Sequence, residues 1–586
     1  MRMFKGLSYR IAHYLLTIFC YKEARSFKQS LPRVKETQEK LLLETLEENA
    51  ETEFGRKHKF SSIKNISDFK TRVPVSSYED YKCYIDLIAR GDNNILTKEK
   101  VLLFEPSSGS VSSTKYIPYT PTLKKQFQRA ILPWLYDIAI KNKGVIKGSS
   151  YWSISPSVNL CVNPNYGIMP VGFEQDAEYF GPILKHILKV LLVVPQEVSL
   201  IEDIDSFRYV TLLFLLREKE LTFISIWNPT FLTVLFDPLL HFAPSLICDI
   251  ERGTLNPPSK LSRELTHRLL KKLPKDKKRA AELKAIFNSY SESLFEKASL
   301  FKNIWPNLCF ISCWGDGNAN SHLSSLKQMF PDVVLQPKGL LATEGVVSFP
   351  LTDENESILA INSHFFEFIE TEDINTGGQS YNTLLAHQLQ LGKSYSVIIT
   401  TGGGLYRYRL NDIIKVVGFR QECPLVRFIG KEDKVSDLCG EKLNERHIVE
   451  ILNGAFEQYQ LRSRFFMMAP SLSEDGKYSY TLFLQFAECP NESYYALSQL
   501  SAFIEKKLKE NYHYNYARKL GQLQELRIFI IFPESNPAQD YLYHCQKQGQ
   551  KLGDVKPLAL DSRLDWASVF HGSFAGNKSF CMSQNV

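Results

Sequence analysis

The chain has 586 residues, too many for one ordinary hydrophobic core, so two or more domains are expected. Its 44% apolar and 23% charged content is that of a soluble globular protein, and 12% aromatics suit large cores and apolar pockets. The net charge of +6 sits in the first forty residues, where nine Lys or Arg oppose three Glu; the balanced remainder lacks the basic body that tracks nucleic acid.

In chain order, the first apolar run is IAHYLLTIFCY (11–21), preceded by basic residues as in a secretory leader. No A-x-A cleavage pattern follows, only Lys-Glu-Ala-Arg, so an amphipathic or buried helix is expected. Leu41, Leu42, Leu43, Leu46 and Phe54 give helical spacing over 30–60, ending at the glycine of TEFGRKHKF. SYEDYKCYIDLIARG (77–91) predicts a helix that starts at its serine and stops on Gly91. KVLLFEP reads as a strand, then comes a Ser-rich loop, and TPTLKKQFQRAILPWLYDIAI reads as a helix.

The middle alternates helical and strand-like apolar runs, such as LKVLLVVP, FRYVTLLFLLREK, LTFISIW, LCFISCWGDG and DVVLQPKGLLATEG. That alternation argues a mixed α/β architecture. The stretch 230–250 is apolar but holds aspartate, proline and histidine, so core packing is expected there rather than a membrane span. KKLPKDKKR (271–279) reads as a solvated helix end or loop. From Lys431 the texture changes to a charged stretch, then helix, strand, helix and strand. This predicts a large α/β domain over 1–430 and a small α+β domain over 431–586.

Eleven scattered cysteines without C-x-x-C spacing read as reduced thiols of a cytoplasmic compartment. Cys309 and Cys313 have no second ligand pair nearby, which disfavours zinc. The histidines form no H-E-x-x-H set, which disfavours a metal hydrolase.

Five segments could carry chemistry. EPSSGSVSSTK (105–115) combines hydroxyls, one glycine and a lysine; it reads either as an anion-binding nest or as a solvated loop. It is not a Walker A loop, and the S-x-x-K at Ser112–Lys115 lacks the K-T-G partner of penicillin-recognising serine enzymes. GLLATEG (339–345) presents Glu344, a possible oxygen ligand for Mg²⁺ or a plain surface glutamate. TTGGGLYRYRLND (400–412) places Asp412 at an apparent turn between strand-like runs, where a carboxylate suits ribose hydroxyls or simply closes a hairpin. FIGKEDK (428–434) lies at the expected domain boundary, and GQKLGDVKPLALDSR (549–563) presents Lys556 from a late loop.

Each segment alone is bland, but their order resembles the adenylate-forming superfamily of acyl-CoA synthetases, adenylation domains and luciferase. The chain is most similar to the auxin-responsive acyl acid–amido synthetases, known from plants and also found in bacteria, and reads as a bacterial-type member. LLLETLEENAETEFGRKHKF, FKTRVPVSSYEDYKCYIDLIARGDNNILT and FISIWNPTFL share the likeness, which covers about 35–565. The resemblance implies a phosphate grip by Ser107, Ser108, Gly109, Ser110 and Lys115, with Ser112 in place of a second glycine. It implies an ATP site completed by Thr343, Glu344, Tyr408, Arg409, Asp412 and Lys431, with Glu344 holding Mg²⁺ and Asp412 the ribose. Lys556 takes the place of the lysine that reaches the α-phosphate. Leu340 and Leu341 stand where an aromatic is usual, and Asn411 where a glycine is. The acyl pocket would lie in the large domain, walled by 207–232 and ending at Trp227 and Asn228, although plain core serves equally for most of that stretch.

The implied chemistry is adenylation of a carboxylic acid by ATP, then acyl transfer to an amine, typically an amino acid, with a rotation of the small domain between the steps. An acyl-CoA ligase with a thiol acceptor is the nearest alternative. A non-catalytic scaffold is the other, motivated by the substitutions at Ser112, Leu340, Leu341 and Asn411 and opposed by the survival of Glu344, Asp412 and Lys556.

Overall fold

The N-terminal segment forms a single helix, Arg2–Ser30. Tyr9, Ala12, His13, Leu16, Cys20 and Phe27 recur on one face of it and are buried. Two polar contacts fix that face: the Tyr9 hydroxyl donates to Glu218 Oε2 at 2.8 Å, and His13 Nε2 lies 2.9 Å from the Gly148 carbonyl oxygen.

The structure, a computed structural model, describes residues 2–107, 115–153, 181–226, 229–290, 294–315, 319–374, 382–432, 435–436, 438, 441, 443–472, 477–487, 494–519, 523–548, 550, 555 and 558–575. The chain divides into two units, one with most of Met1–Phe428 and the other with Ile429–Val586 as its body.

Two larger sheets organise the first unit. One is parallel, with Ser149–Trp152, Leu221–Ser225, Phe310–Trp314 and Val334–Lys338 side by side in chain order. Its two central strands, Leu221–Ser225 and Phe310–Trp314, are buried at every position, as in a parallel sheet covered on both faces. The helix Ile204–Arg217 beside it is buried at nearly every position, so FRYVTLLFLLREK is core along most of its length. TFLTVLFDPLLHFAPSLICDI forms two helices, Pro229–Phe236 and Leu239–Arg252, the second burying Leu239, Ala243, Leu246 and Ile250. Among the described residues no helix is long and apolar enough to cross a membrane.

The other sheet has seven strands, in the order Leu384–Leu385, Phe365–Glu370, Ser394–Thr400, Tyr408–Arg420, Cys423–Lys431, Ser357–Leu359 and Ser348–Pro350. The connection between Ser394–Thr400 and Tyr408–Arg420 is the glycine-rich turn. Here one expectation fails. Asp412 lies inside the strand Tyr408–Arg420 rather than at a turn. The pairing runs Ser396 to Ile413 and then Ile398 to Arg409, so Leu410–Asp412 form an irregularity in the ladder. Asn411 absorbs it with φ of 61°, a left-handed backbone that asparagine tolerates.

The single helix expected over 30–60 is also broken, into Val34–Glu48 and Glu53–Lys57. Thr52 caps the second piece by accepting from the Gly55 N–H at 2.9 Å. The break lets Phe54 turn inward and stack on Tyr406, with ring centroids 5.0 Å apart. Apolar spacing alone carried no sign of the break, since both pieces keep helical periodicity.

The turn itself is held from several directions. Tyr81 donates to the Tyr406 carbonyl at 2.5 Å and accepts from the Tyr406 N–H at 2.8 Å. The Tyr406 hydroxyl donates to the Leu96 carbonyl at 2.8 Å. Gly404, at φ of 94°, lies so near Leu96 that a Cβ would come within 2.6 Å of the leucine Cβ.

Beneath the turn lies a buried ion pair. Arg407 Nε donates to Glu367 Oε2 and its Nη2 to Glu367 Oε1, both at 2.9 Å. Nη1 donates to the Lys70 carbonyl at 3.0 Å and the Val73 carbonyl at 2.6 Å. The Thr383 hydroxyl donates to Glu367 Oε1 at 2.6 Å. Burial lowers the Lys70 pKa, against the opposing pull of Glu367.

The second unit carries a four-stranded sheet, in the order Ser463–Leu472, Tyr478–Phe486, Arg527–Ile531 and Gly572–Phe574. Helices Glu445–Gln458, Tyr494–Leu508 and Tyr512–Lys519 supply Ile448, Leu452, Leu500, Ile504 and Tyr514 to its core. The Tyr480 hydroxyl donates to the buried Glu441 and accepts from Ser436 Oγ at 2.6 Å. Glu445 Oε1 accepts from the Ala559 N–H at 2.8 Å, tying the late segment to the start of the first helix.

Removing one member of the buried pair should leave an uncompensated charge in the core. Arg407→Leu is expected to destabilise the first unit by about 3–5 kcal/mol. Urea unfolding followed by tryptophan fluorescence measures this, and a loss below about 1 kcal/mol would mean the pair contributes no more than a surface bridge.

Candidate nucleotide site

Four segments of the first unit meet around Tyr408. The Ser-rich loop is carried on a hairpin, Leu103–Ser107 paired antiparallel with Lys115–Tyr119, with Ser107 opposite Lys115. Ser107 and Lys115 therefore stand together at the open end of the ladder. Ser108, Gly109, Ser110 and Ser112 lie outside the described residues.

A capped helix start supports this hairpin. The Asp80 carboxylate accepts from the Ser77 N–H at 2.7 Å, opening the helix Tyr78–Ala89. That places Tyr78 in the first turn. Its hydroxyl accepts from the Tyr116 N–H at 2.8 Å, and Lys115 Nζ sits 5.9 Å from its ring centroid. Nothing in the spacing had singled Tyr78 out; it looked like one more aromatic on an amphipathic helix.

The Thr-Glu pair occupies the tip of a very short hairpin. Leu341 pairs with Val346 and Ala342 with Gly345, so Thr343 and Glu344 are the two turn residues. The Tyr119 hydroxyl donates to the Thr343 carbonyl at 2.6 Å, joining this tip to the first hairpin. Leu340, where an aromatic is usual, is buried.

Tyr408 opens the strand after the glycine-rich turn, and its hydroxyl donates to Glu344 Oε1 at 3.3 Å. Burial, then the Glu344 carboxylate, push its pKa far above the ordinary phenol value, with a smaller contribution of the same sign from Asp412. The phenol therefore stays protonated and donates. Glu344 is 7% exposed and Asp412 3%. Arg409 is held through its backbone, its N–H donating to the Ser76 carbonyl at 2.9 Å. Lys431 ends the strand Cys423–Lys431, half-buried and within the second unit. Trp227, Asn228 and Lys556 lie outside the described residues. On either side of Lys556, Val555 is buried, and Ala559 accepts from the Met468 N–H at 2.7 Å.

A second layer links the glycine turn to the Thr-Glu tip, and the sequence offered no sign of it. Gln126 Oε1 accepts from the Gly402 N–H at 2.8 Å and lies 3.1 Å from His364 Nδ1. His364 Nε2 accepts from the Val346 N–H at 3.1 Å, which makes Nδ1 the protonated nitrogen. Complete burial, with Arg129 adding to it, pushes the His364 pKa down to about 3. The ring is neutral, and that tautomer satisfies both neighbours. At the parallel sheet, Lys338 ends its strand, donates to Ser225 Oγ at 2.8 Å and lies 5.6 Å from the Trp134 ring centroid. This places a cation at the carboxyl ends of the parallel strands, where open α/β sheets bind ligands.

A Mg²⁺ ion fits the donor set near Glu344. The carboxylate is a hard oxygen ligand, and Mg²⁺ is commonly held by one or two carboxylates plus substrate phosphates. Among the described residues no group of three or more His, Cys, Asp or Glu forms an all-protein metal cage.

Solved structures share the fold. The fold matches the GH3.15 acyl acid amido synthetase in complex with 2,4-DB, with a TM-score of 0.77 over 93% of this chain and 95% of that one, at 19% identity. The shared fold is a mixed α/β body with a smaller C-terminal part. The GH3 family N-terminal domain model matches residues 23–335 and the GH3 family central domain model matches 357–431. The chain belongs to the GH3 family. Its relatives include indole-3-acetic acid-amido synthetase GH3.4 of Arabidopsis thaliana, 25% identical over 71% of this chain and 70% of that protein. Jasmonoyl--L-amino acid synthetase JAR4 of Nicotiana attenuata is 24% identical over 70% of this chain and 71% of that protein.

The buried histidine has a pH signature. His364 in the unfolded chain takes up a proton below about pH 6.5, which the folded site resists down to about 3. Its contribution is present above about pH 6.5 and is lost as pH falls toward 3. A His364→Gln variant should flatten the acid limb of stability by about 1.4 kcal/mol per pH unit between about pH 6 and 4, measured by urea midpoints. An unchanged slope would mean the ring is not the neutral buried group described.

Proposed function

We propose that this protein is an acyl acid–amido synthetase. It adenylates a carboxylic acid with ATP and then transfers the acyl group to an amine, an amino acid being the favoured acceptor. The observation that carries this reading is the convergence of the Thr343–Glu344 tip, the Tyr408 hydroxyl, Asp412 and the Lys115 hairpin in one place.

In the first half-reaction a substrate carboxylate oxygen attacks the α-phosphorus of ATP. A P–O bond forms, the bond to pyrophosphate breaks, and an acyl adenylate remains. Bound Mg²⁺ would be held by Glu344 and would neutralise phosphate charge. Tyr408 fixes the Glu344 carboxylate by donating to it, and Tyr119 fixes the backbone of the same tip. Ser107, Ser108, Gly109, Ser110 and Lys115 grip phosphates, and Asp412 accepts from the ribose hydroxyls. Arg409 and Lys431 complete the nucleotide site, and Lys556 supplies positive charge at the α-phosphate. In the second half-reaction the amine nitrogen attacks the acyl carbon. A C–N bond forms, the C–O bond to AMP breaks, and the amine loses a proton.

The relatives' names supply the acids to try first, indole-3-acetic acid and jasmonic acid. Trp227 and Asn228 remain candidates for acyl contact, and we assign the large and small domains to 1–430 and 431–586. The scattered cysteines without C-x-x-C spacing support a cytoplasmic setting.

Carboxylate-dependent exchange of pyrophosphate into ATP tests the first step, over a panel of aromatic and aliphatic acids. Exchange should require one acid class and fall by about 10²–10³-fold in both Glu344→Gln and Lys556→Ala. Amine consumption coupled to AMP release then tests the second step. Release of a coenzyme A thioester in its place would make the enzyme a thiol ligase, and ATP binding without exchange would leave a scaffold.

A further inference from the structure

The helix Arg2–Ser30 has a second face that the proposed reaction does not use. Leu7, Ile11, Tyr14, Leu15, Ile18 and Tyr21 are all exposed, Tyr14 at 68%, Ile18 at 55% and Ile11 at 52%. Apart from Leu15 they follow 4-3-4-3 spacing, so they form one stripe along the helix. At 1.5 Å per residue the stripe runs about 21 Å from Leu7 to Tyr21. The opposite face is anchored by Tyr9, His13, Cys20 and Phe27, whose ring lies 4.8 Å from that of Phe349. The helix is therefore part of the first unit, and its apolar stripe is on the surface by construction. Tyr21 touches Tyr136 of the helix Pro121–Lys141 at 5.8 Å between centroids, and Ile140, one turn beyond Tyr136, is exposed too.

The charge around the stripe is of one sign. Arg10, Lys22, Arg25 and Lys28 are exposed. On a 3.6-residue helix, Arg25 continues the stripe beyond Tyr21, and Arg10, Lys22 and Lys28 border it. The surplus of six positive charges among residues 1–40 is the whole net charge of the protein. A surface of aliphatic side chains and tyrosines, edged by cations on long flexible stems, matches the interface of an anionic bilayer, in which tyrosine lies at headgroup level and basic side chains reach phosphates. It matches a second copy of the same chain poorly, because self-pairing would bring these cations together with few acids to offset them.

We propose that the outer face of the helix Arg2–Ser30 is a peripheral docking surface for negatively charged membrane lipid. The helix lies in the plane of the interface and does not span it. Binding needs both parts of the surface, the apolar stripe for burial and the cations for attraction, so it is sensitive to salt.

Flotation of the full-length protein with vesicles tests this. The probes are phosphatidylcholine vesicles and phosphatidylcholine vesicles with about one phosphatidylserine in three. The protein should float with the anionic vesicles only, and raising the salt to about 0.5 M should weaken binding about tenfold. Ile11→Glu/Ile18→Glu and Arg10→Glu/Arg25→Glu should each lower binding by a similar factor and leave pyrophosphate exchange unchanged. That unchanged exchange, or unchanged circular dichroism if no acid supports exchange, shows that the variants fold. Failure to float with either vesicle overturns the proposal, as does flotation that neither variant alters. Sedimentation showing a dimer that Ile11→Glu/Ile18→Glu dissolves also overturns it, since a second copy would then cover the stripe.

Discussion

The buried pair of Arg407 and Glu367 is the constraint around which the first unit is arranged. Two parallel hydrogen bonds fix the guanidinium on the carboxylate, and the remaining donors reach the carbonyls of Lys70 and Val73. Such a pair gains little over apolar packing in net stability, but losing one member is costly. Its value lies in what it fixes. Arg407 sits at φ of 51°, directly before Tyr408, so the pair sets where the glycine turn ends and where the strand Tyr408–Arg420 begins. It also draws the segment after the helix Ile66–Arg72 onto the central sheet, and Ser76 there bonds the backbone on both sides of Tyr408.

A neutral chain of contacts complements the charged one. Gln126 and His364 connect the Gly402 N–H to the Val346 N–H, two residues from Glu344. The glycine turn and the Thr-Glu tip, more than fifty residues apart in sequence, thus share one rigid support. Tyr408 and Tyr119 then close the same two elements from the front. A carboxylate supported in this way has its position set before any ligand arrives.

Where sequence-based expectation and structure part, the cause is tertiary contact. Helical periodicity across 30–60 hid the break at Thr52, since the break exists to send Phe54 against Tyr406. A run of glycine, tyrosine and asparagine suggested that Asp412 sat at a turn; the ladder instead continues through an irregularity at Asn411, which keeps Asp412 buried near Tyr408. Tyr78, Gln126, His364, Glu367 and Lys338 gave no signal because each is an ordinary residue for its element. Their roles come from partners distant in sequence.

The sequence by itself determined the mixed α/β class and the family. These are written in local terms: apolar periodicity, glycine placement and short motifs at characteristic positions. It also showed that the positive charge is concentrated at one end. Only the tertiary structure decided which face of the first helix is covered, that Thr343 and Glu344 form a hairpin tip, and that a neutral histidine and a buried arginine hold the site's walls. The physical reason is that burial, hydrogen-bond partnership and protonation state belong to pairs of groups brought together by folding. No single stretch of the chain contains both members of such a pair.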